Sequence, residues 1–568
     1  MDVQVTKLGV LPIAQQFIEE LGICELIDKH TERGKEEISH GQVVNVLLLN
    51  LLDSNKPLYK VSDWLCDYTD GLGEFSSESN KYNDKRLGAT LDKLYSSSRD
   101  TLLTELSGKA IEIHKIATEI FHNDSTTVTF KGAYTNSKAA DSDIEIKHGY
   151  NKDYRPDCKQ IVFGLTVSGD GYVPLLSKFY SGNTSDDSTH IPNWDALRDL
   201  VNKVDFIYIA DSKLSTMENL VHISSNGGFF ISILPKSRKE TRSILETLSA
   251  LPKASDLLAC SWEEAYRVAN PREKGKATVY RIKEGEKTKE GFRLIWIYSS
   301  SKAEQDAARR TKKLAKGAKI LEELGGKLNK YNLKTEEQIQ TAIDNKLSKT
   351  RDFFKITLNK KEEIIKVKIG RGRPNTNSKY EEKTVISYEL QYALDEEQVQ
   401  KASNRDGVFP LVTNTEKQAV EVLKAYKNQP FLEKRFMALK SILEVAPVFI
   451  EKPERIEAML FLYVIALMLI SLIERKIHNN MKDKEIKTLA ILPQGMKTKK
   501  PTWANIKFCF NSVIMVSMVS KDTKNFKSQV KGLNKQQLKV LELLDIQTHK
   551  FDNMTPSWWK KRSFAGSN

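Results

Sequence analysis

Sixteen consecutive residues without a charge, AMLFLYVIALMLISLI at 458–473, constrain this chain more than any other feature. The run falls short of the roughly 20 residues that a bilayer core requires. Charged segments, KPERIE before it and ERK after it, flank it closely. It therefore reads as a central helix buried within protein rather than a membrane span. At 568 residues the chain is too long for one compact core, so about two to four domains are expected. The net charge of +14 suits a polyanionic partner. The five cysteines, Cys24, Cys66, Cys158, Cys260 and Cys509, form no C-x-x-C pair. That argues against a zinc ribbon or a disulfide framework and fits a reducing compartment. MDVQVTKLGVLPI, at the N-terminus, lacks the basic start and apolar core of a secretory signal.

Residues 1–110 read as a helical region. ISHGQVVNVLLLNLLDSN carries apolar residues at helical spacing, with Ser39 as N-cap. Such a module suits DNA binding, and equally a plain helical bundle. From about 120 the texture changes. STTVTFKGAY is β-rich, and KQIVFGLTVSG and GYVPLLSKFYSGN are apolar strands joined across a Gly-Asp-Gly turn. IPNWDALRDLVNKV is a helix, DFIYIADS a short buried strand ending in an acid, and GGFFISILP a further strand. This order predicts a mixed α/β sheet over 111–235. Residues 236–405 interrupt it with β-like segments, a long charged helix and a basic loop. The sheet region resumes over 406–490, and 491–568 reads as a helical, basic C-terminal region.

Two acids stand out in this frame. Asp124 lies at or within the first strand, in FHNDSTTVTF, and Asp211 ends the strand in FIYIADSKLS. The carboxyl end of a sheet strand is where α/β folds place ligands and chemistry. Taken singly, an aspartate at a strand end is more often a turn former or helix N-cap. On adjacent strands, however, they would share a divalent metal, as phosphodiester chemistry requires of hard oxygen ligands. Two aspartates leave one ligand missing.

The segment AYKNQPFLEKRFMALK, 425–440, holds a candidate for it. Tyr426, Glu433 and Lys440 are each seven residues apart, so one continuous helix would align them on one face with Gln429 near the same stripe. Such a stripe would face phosphates well, the acid toward metal and the lysine and polar groups toward a strand backbone. Pro430 disfavours that continuity and fits better in the first turn of a helix starting near 430. Glu433 would then sit near a helix N-terminus, where a carboxylate is favoured, and Tyr426 need not share its face.

These residues resemble a known pattern. The chain is similar to the DDE transposases of bacterial insertion sequences, in the group marked by Y-(2)-R-(3)-E-(6)-K. Tyr426, Gln429, Glu433 and Lys440 match that spacing, with glutamine in place of arginine. HGYNKDYRPDCKQIVFGL, GYVPLLSKFYSGNTSD, DGVFPLVTNT and ERIEAMLFLYVIALMLISLIER also resemble the group. The resemblance implies an α/β fold: an RNase H-like mixed-sheet core split by a large insertion, with helical N- and C-terminal regions. It implies Asp124, Asp211 and Glu433 as the catalytic, metal-holding acids. It implies two Mg²⁺ ions, with Mn²⁺ able to substitute, and hydrolysis of DNA ends followed by joining of the 3′-hydroxyl to target DNA. Double-stranded DNA is the implied partner, with a homodimer on paired ends, no membrane, and a bacterial cytoplasmic, nucleoid-associated location. Gln429 departs from the pattern by removing a bidentate phosphate clamp.

Within the insertion, KIGRGRPNTNSK places Arg371 and Arg373 in an Arg-Gly-Arg-Pro core like that of an AT-hook. Such a segment fits a narrow A·T minor groove, or serves as a basic linker. Two other functions share the sequence features: a metal-dependent nuclease that cuts without joining, and a DNA-binding protein derived from a transposase whose chemistry has decayed.

Overall fold

The computed structural model describes residues 2–68, 79–130, 144–152, 155–251, 262–269, 276–330, 332–369, 379–441, 443, 452–519, 526–530 and 532–547. The chain divides into two compact units, one of Met1–Ser232 with Lys424–Asn568 and one of Ile233–Leu423.

In the first unit, five strands form the sheet that carries the candidate acids. They are β1 (Ile120–Phe130), β2 (Lys159–Ser168), β3 (Pro174–Ser181), β4 (Ile207–Ile209) and β5 (Phe229–Ile233). Their lateral order is β3-β2-β1-β4-β5. β1 to β3 form an antiparallel meander, and β4 and β5 run parallel to β1. Parallel neighbours need crossover connections, and helices α1 (His190–Val201) and α2 (Met217–Ser225) supply them. Tyr208, Ile209, Phe230 and Ile231 are fully buried in the short parallel strands, as strands covered on both faces require.

The uncharged run lies within α5 (Pro453–Asp483); α3 (Ala419–Tyr426) and α4 (Pro430–Ser441) precede it. By length and composition α5 is long and apolar enough to cross a membrane, yet its most apolar stretch is wholly buried inside the protein. A helix apolar on every side must be covered on every side. Here the cover includes β3 and the helices His40–Asp53 and Asp84–Ser96. Its polar first turns are tied down as well. Arg455 donates two 2.7 Å hydrogen bonds to the Asp92 carboxylate, and the buried Glu457 pairs with Arg99 at 3.1 Å. The covering helix His40–Asp53 opens with a capping box between Ser39 and Gln42, and every residue in it except Gln42 is buried.

The first and last described parts of this unit depart from the all-helical reading. Asp2–Lys7 is a strand paired antiparallel with Ile514–Val519, which pairs in turn with Phe526–Val530. Asp2–Lys7 has its pairing partner at the other end of the chain, so local periodicity did not reveal its place in a sheet.

The second unit contains the antiparallel strands Val408–Thr413, Arg293–Ser299, Ala277–Glu284 and Glu263–Ala269, in that lateral order. The long charged helix is Ser300–Gly325. The segment read as a basic loop is largely a ribbon, Phe354–Lys368 against Tyr380–Leu394. Lysines and glutamates occupy both of its faces, so the alternation that marks a half-buried strand is missing. Arg371 and Arg373, the AT-hook-like pair, lie outside the described residues.

Leu469 sits at full burial in the middle of α5. Leu469→Ala is expected to cost about 2–5 kcal/mol of unfolding free energy, measured as a fall in the denaturation midpoint.

Candidate active site

The register of β1 against β4 brings the two aspartates level. His122 pairs with Ile209; Asp124 lies two residues beyond the first and Asp211 two beyond the second. Asp124 belongs to the central strand, and Asp211 follows the carboxyl end of its parallel neighbour. The Ser125 N–H donates to Asp124 Oδ1 at 2.7 Å, and the Lys213 N–H donates to Asp211 Oδ1 at 2.9 Å. Burial pushes the Asp124 carboxyl up to about 6, against the pull of Lys152 and the Ser125 amide, while Asp211 and Asp186 add to the rise. Burial likewise raises Asp211, opposed by the Lys213 amide and Lys152. Two carboxylates taken partly out of water and set near one another resist ionising together.

Sequence reasoning missed the groups around them. The Lys152 ammonium donates to the Ser125 carbonyl and hydroxyl at 2.7 Å each, and lies 3.1 Å from Asp186 Oδ2 and 3.7 Å from Asp124 Oδ1. The Ser125 hydroxyl donates to Asp186 Oδ1 at 2.6 Å. The neighbouring Asn151 is fixed by a bond to Gln160 at 2.8 Å. Lys152 and Asp186 come from loops far from either aspartate in sequence, with no spacing to betray them.

α4 begins at Pro430, where a proline is tolerated. Tyr426 therefore ends α3, and the expected single stripe is broken by the turn at 427–429. The fold nonetheless returns Tyr426 to the acids. Its phenol is raised first by burial and then by Asp211, Asp124 and Glu433. Glu433 is an exposed first-turn residue of α4, and Lys440, half-buried, follows two turns later.

Gln429 does not belong to an exposed phosphate-facing stripe. It is buried, with Oε1 2.9 Å from His122 Nδ1 and Nε2 donating to the Asn123 carbonyl at 2.9 Å. Both ends of the amide are thus spent on β1, joining the start of α4 to the strand that carries Asp124. A guanidinium has no acceptor, so it could meet His122 only with the imidazole in the tautomer that accepts at Nδ1. The neighbouring Arg435 is buried as well. It donates to the Gly171 and Tyr172 carbonyls at 2.7 and 3.0 Å and pairs with Glu474 of α5.

Carboxylate oxygens are the donor type that a hard divalent cation takes. The Lys152 ammonium already rests against Asp124 and Asp186 as a cationic partner. Among the described residues, however, no three His, Cys, Asp or Glu side chains are gathered closely enough to hold a metal ion as they stand.

Residues 3–108 match the family described as "Domain of unknown function (DUF4277)". No curated protein matches the chain. Among solved structures, the chain is similar to one titled "Cryo-EM structure of piggyBac transposase synaptic complex with hairpin DNA (SNHP)". That match has 8% identity and a TM-score of 0.39, and it covers 100% of this chain and 85% of that one. Likeness at that level is too slight to argue from.

Two measurements test the site. A carboxyl raised above its unfolded value binds its proton more tightly when folded, so ionising it costs stability at pH above about 6. Asp124→Asn should therefore raise Tm at pH 8, by a stabilisation on the order of 2 kcal/mol. The gain should shrink as the pH falls from about 7 toward 4. Gln429→Ala strands two buried groups of β1 and should cost about 1–3 kcal/mol in denaturant unfolding.

Proposed function

We propose that the chain is a DDE-type DNA transposase with an RNase H-like core, cleaving DNA at the ends of a mobile element and joining the freed 3′-hydroxyl to target DNA. One observation carries this reading: the β3-β2-β1-β4-β5 order with Asp124 on the central strand and Asp211 level with it on the parallel neighbour. Tyr426 supports it, since its phenol feels Asp124, Asp211 and Glu433 together.

In this reading Asp124, Asp211 and Glu433 are the residues that would hold two Mg²⁺ ions, for which Mn²⁺ would substitute. When bound, the metal activates the attacking oxygen and offsets charge on the leaving one. The chain's own groups do the rest. Asp124 gives up its proton when a cation is held there, which makes binding pH-dependent. Glu433, exposed at the first turn of α4, would supply the third carboxylate. Tyr426 keeps its phenolic proton at neutral pH and donates it in a hydrogen bond to a phosphate oxygen. Lys440 meets the strand backbone as a point charge. Gln429 holds α4 against β1 and leaves end binding to other groups, among them Arg371 and Arg373. The helical region 1–110 binds the terminal inverted repeats. The partners are double-stranded transposon ends and target, on a homodimer in the bacterial cytoplasm, associated with the nucleoid.

Purified protein with Mg²⁺ and a DNA fragment spanning the element's ends should nick at those ends and yield joined products. Asp124→Asn, Asp211→Asn and Glu433→Gln should each reduce cleavage to background while end binding, read by gel shift, stays near wild type. Cleavage without joining would make the chain a nuclease, and binding without cleavage a decayed transposase. Full cleavage by any one variant would remove that residue from the site.

A further inference from the structure

A cleft of about 890 Å³ lies beside α4, bounded by the β2–β3 turn, α5 and residues 499–502. Phe431, Lys434, Arg435 and Ala438 line it, following the i, i+3, i+4, i+7 spacing of one helix flank; neither Glu433 nor Lys440 does. The cleft and the acids thus use different flanks of the same helix.

Its charge is unbalanced. The two acids of the lining are already engaged, Glu474 by Arg435 and Asp170 by Arg475. The lysines 434, 482, 499 and 500 remain, all exposed, and among the described residues none has a carboxylate partner. Lys434 and Lys500 both hold their ammonium groups over the Phe431 ring, 4.5 and 4.8 Å from its centroid. Two like charges gathered at one ring repel, and an anion placed between them would relieve that repulsion.

The Phe431 ring also stacks on Tyr172, with centroids 4.7 Å apart and planes 17° from parallel. Tyr172 sits in the β2–β3 turn at φ +55°. A bulky residue in the left-handed region is strained, and such strain persists only where neighbours impose it. Arg435 imposes it here by gripping the Gly171 and Tyr172 carbonyls.

Aromatic faces beside uncompensated lysines in a concave site are the means by which proteins hold single-stranded nucleic acid. We propose that this cleft seats an unpaired DNA strand, with phosphates on Lys434 and Lys500 and a base against the Phe431–Tyr172 pair. A duplex keeps its bases in its own stack and leaves the aromatic pair unused. The seat needs neither the metal nor the acids, so it is independent of the cleavage reading above.

The test uses the full chain in EDTA, a fluorescein-labelled oligothymidylate, a duplex of equal length, and AMP as competitor, read by fluorescence anisotropy. The double variant Lys434→Gln/Lys500→Gln, at two exposed positions, should weaken oligothymidylate binding about tenfold or more. It should also flatten the log–log salt slope by about 1.4, or 0.7 per lost phosphate contact. Phe431→Leu should weaken binding about fivefold to a hundredfold with the slope unchanged. Thermal melting of both variants near the wild-type Tm certifies the fold. Unchanged affinity in either variant overturns the proposal. So does an equal loss on the duplex, which marks a general basic surface, or AMP competing as well as the oligomer per nucleotide, which marks a mononucleotide pocket. Because no metal is present, failure of DNA cleavage leaves this result untouched, and failure here leaves the acids in place.

Discussion

One buried guanidinium ties the first unit together. Arg435 projects from α4 to the carbonyls of the β2–β3 turn and to Glu474 of α5, whose second oxygen accepts the Trp503 N–H at 2.8 Å. Four segments distant in sequence thus meet at a single charge. A buried arginine is tolerable only when paired and hydrogen-bonded, and removing one partner leaves the others exposed to the same penalty. The helix that carries Glu433 and the turn that carries Tyr172 are fixed by this one arrangement.

Around it, α4 presents three flanks to different surroundings. Its buried flank packs Phe436 edge-on against Phe163 of β2, with ring centroids 6.2 Å apart. A second flank bears Glu433 and Lys440, and a third, with Phe431 and Lys434, lines the cleft. Gln429 then fixes where the helix begins relative to β1, since His122 and the Asn123 carbonyl both take their partners from its amide. The position of Glu433 is therefore set by buried polar bonds rather than by the carboxylate itself, which faces solvent.

Asp124 within one apolar strand and Asp211 just past the end of another could be picked out from local pattern, and the parallel register of those strands brings the two level. Ser39 was legible as a cap for the same reason: capping is a matter of four neighbouring residues. Lys152 and Asp186 were not. Their approach to Asp124 depends on how two loops are folded, and nothing in the spacing of the chain encodes it. Gln429 was legible as a departure from a pattern but misplaced, since a polar residue in a basic, amphipathic stretch looks exposed until its partners on β1 are known. The first strand of the terminal sheet was hidden because it pairs with a segment more than 500 residues away.

By itself, then, the sequence determined the elements: the helix with an uncharged run that must be enclosed, the apolar strands around Asp124 and before Asp211, and the proline that starts α4. These follow from hydrophobic periodicity and from backbone chemistry, which act over a few residues. Only the tertiary structure decided which charges meet. It placed a lysine between Asp124 and Asp186, buried the glutamine, returned Tyr426 to the acids across a broken helix, and left four lysines around an aromatic pair. Those outcomes turn on burial and on the company each charge keeps, and both are properties of the packed chain.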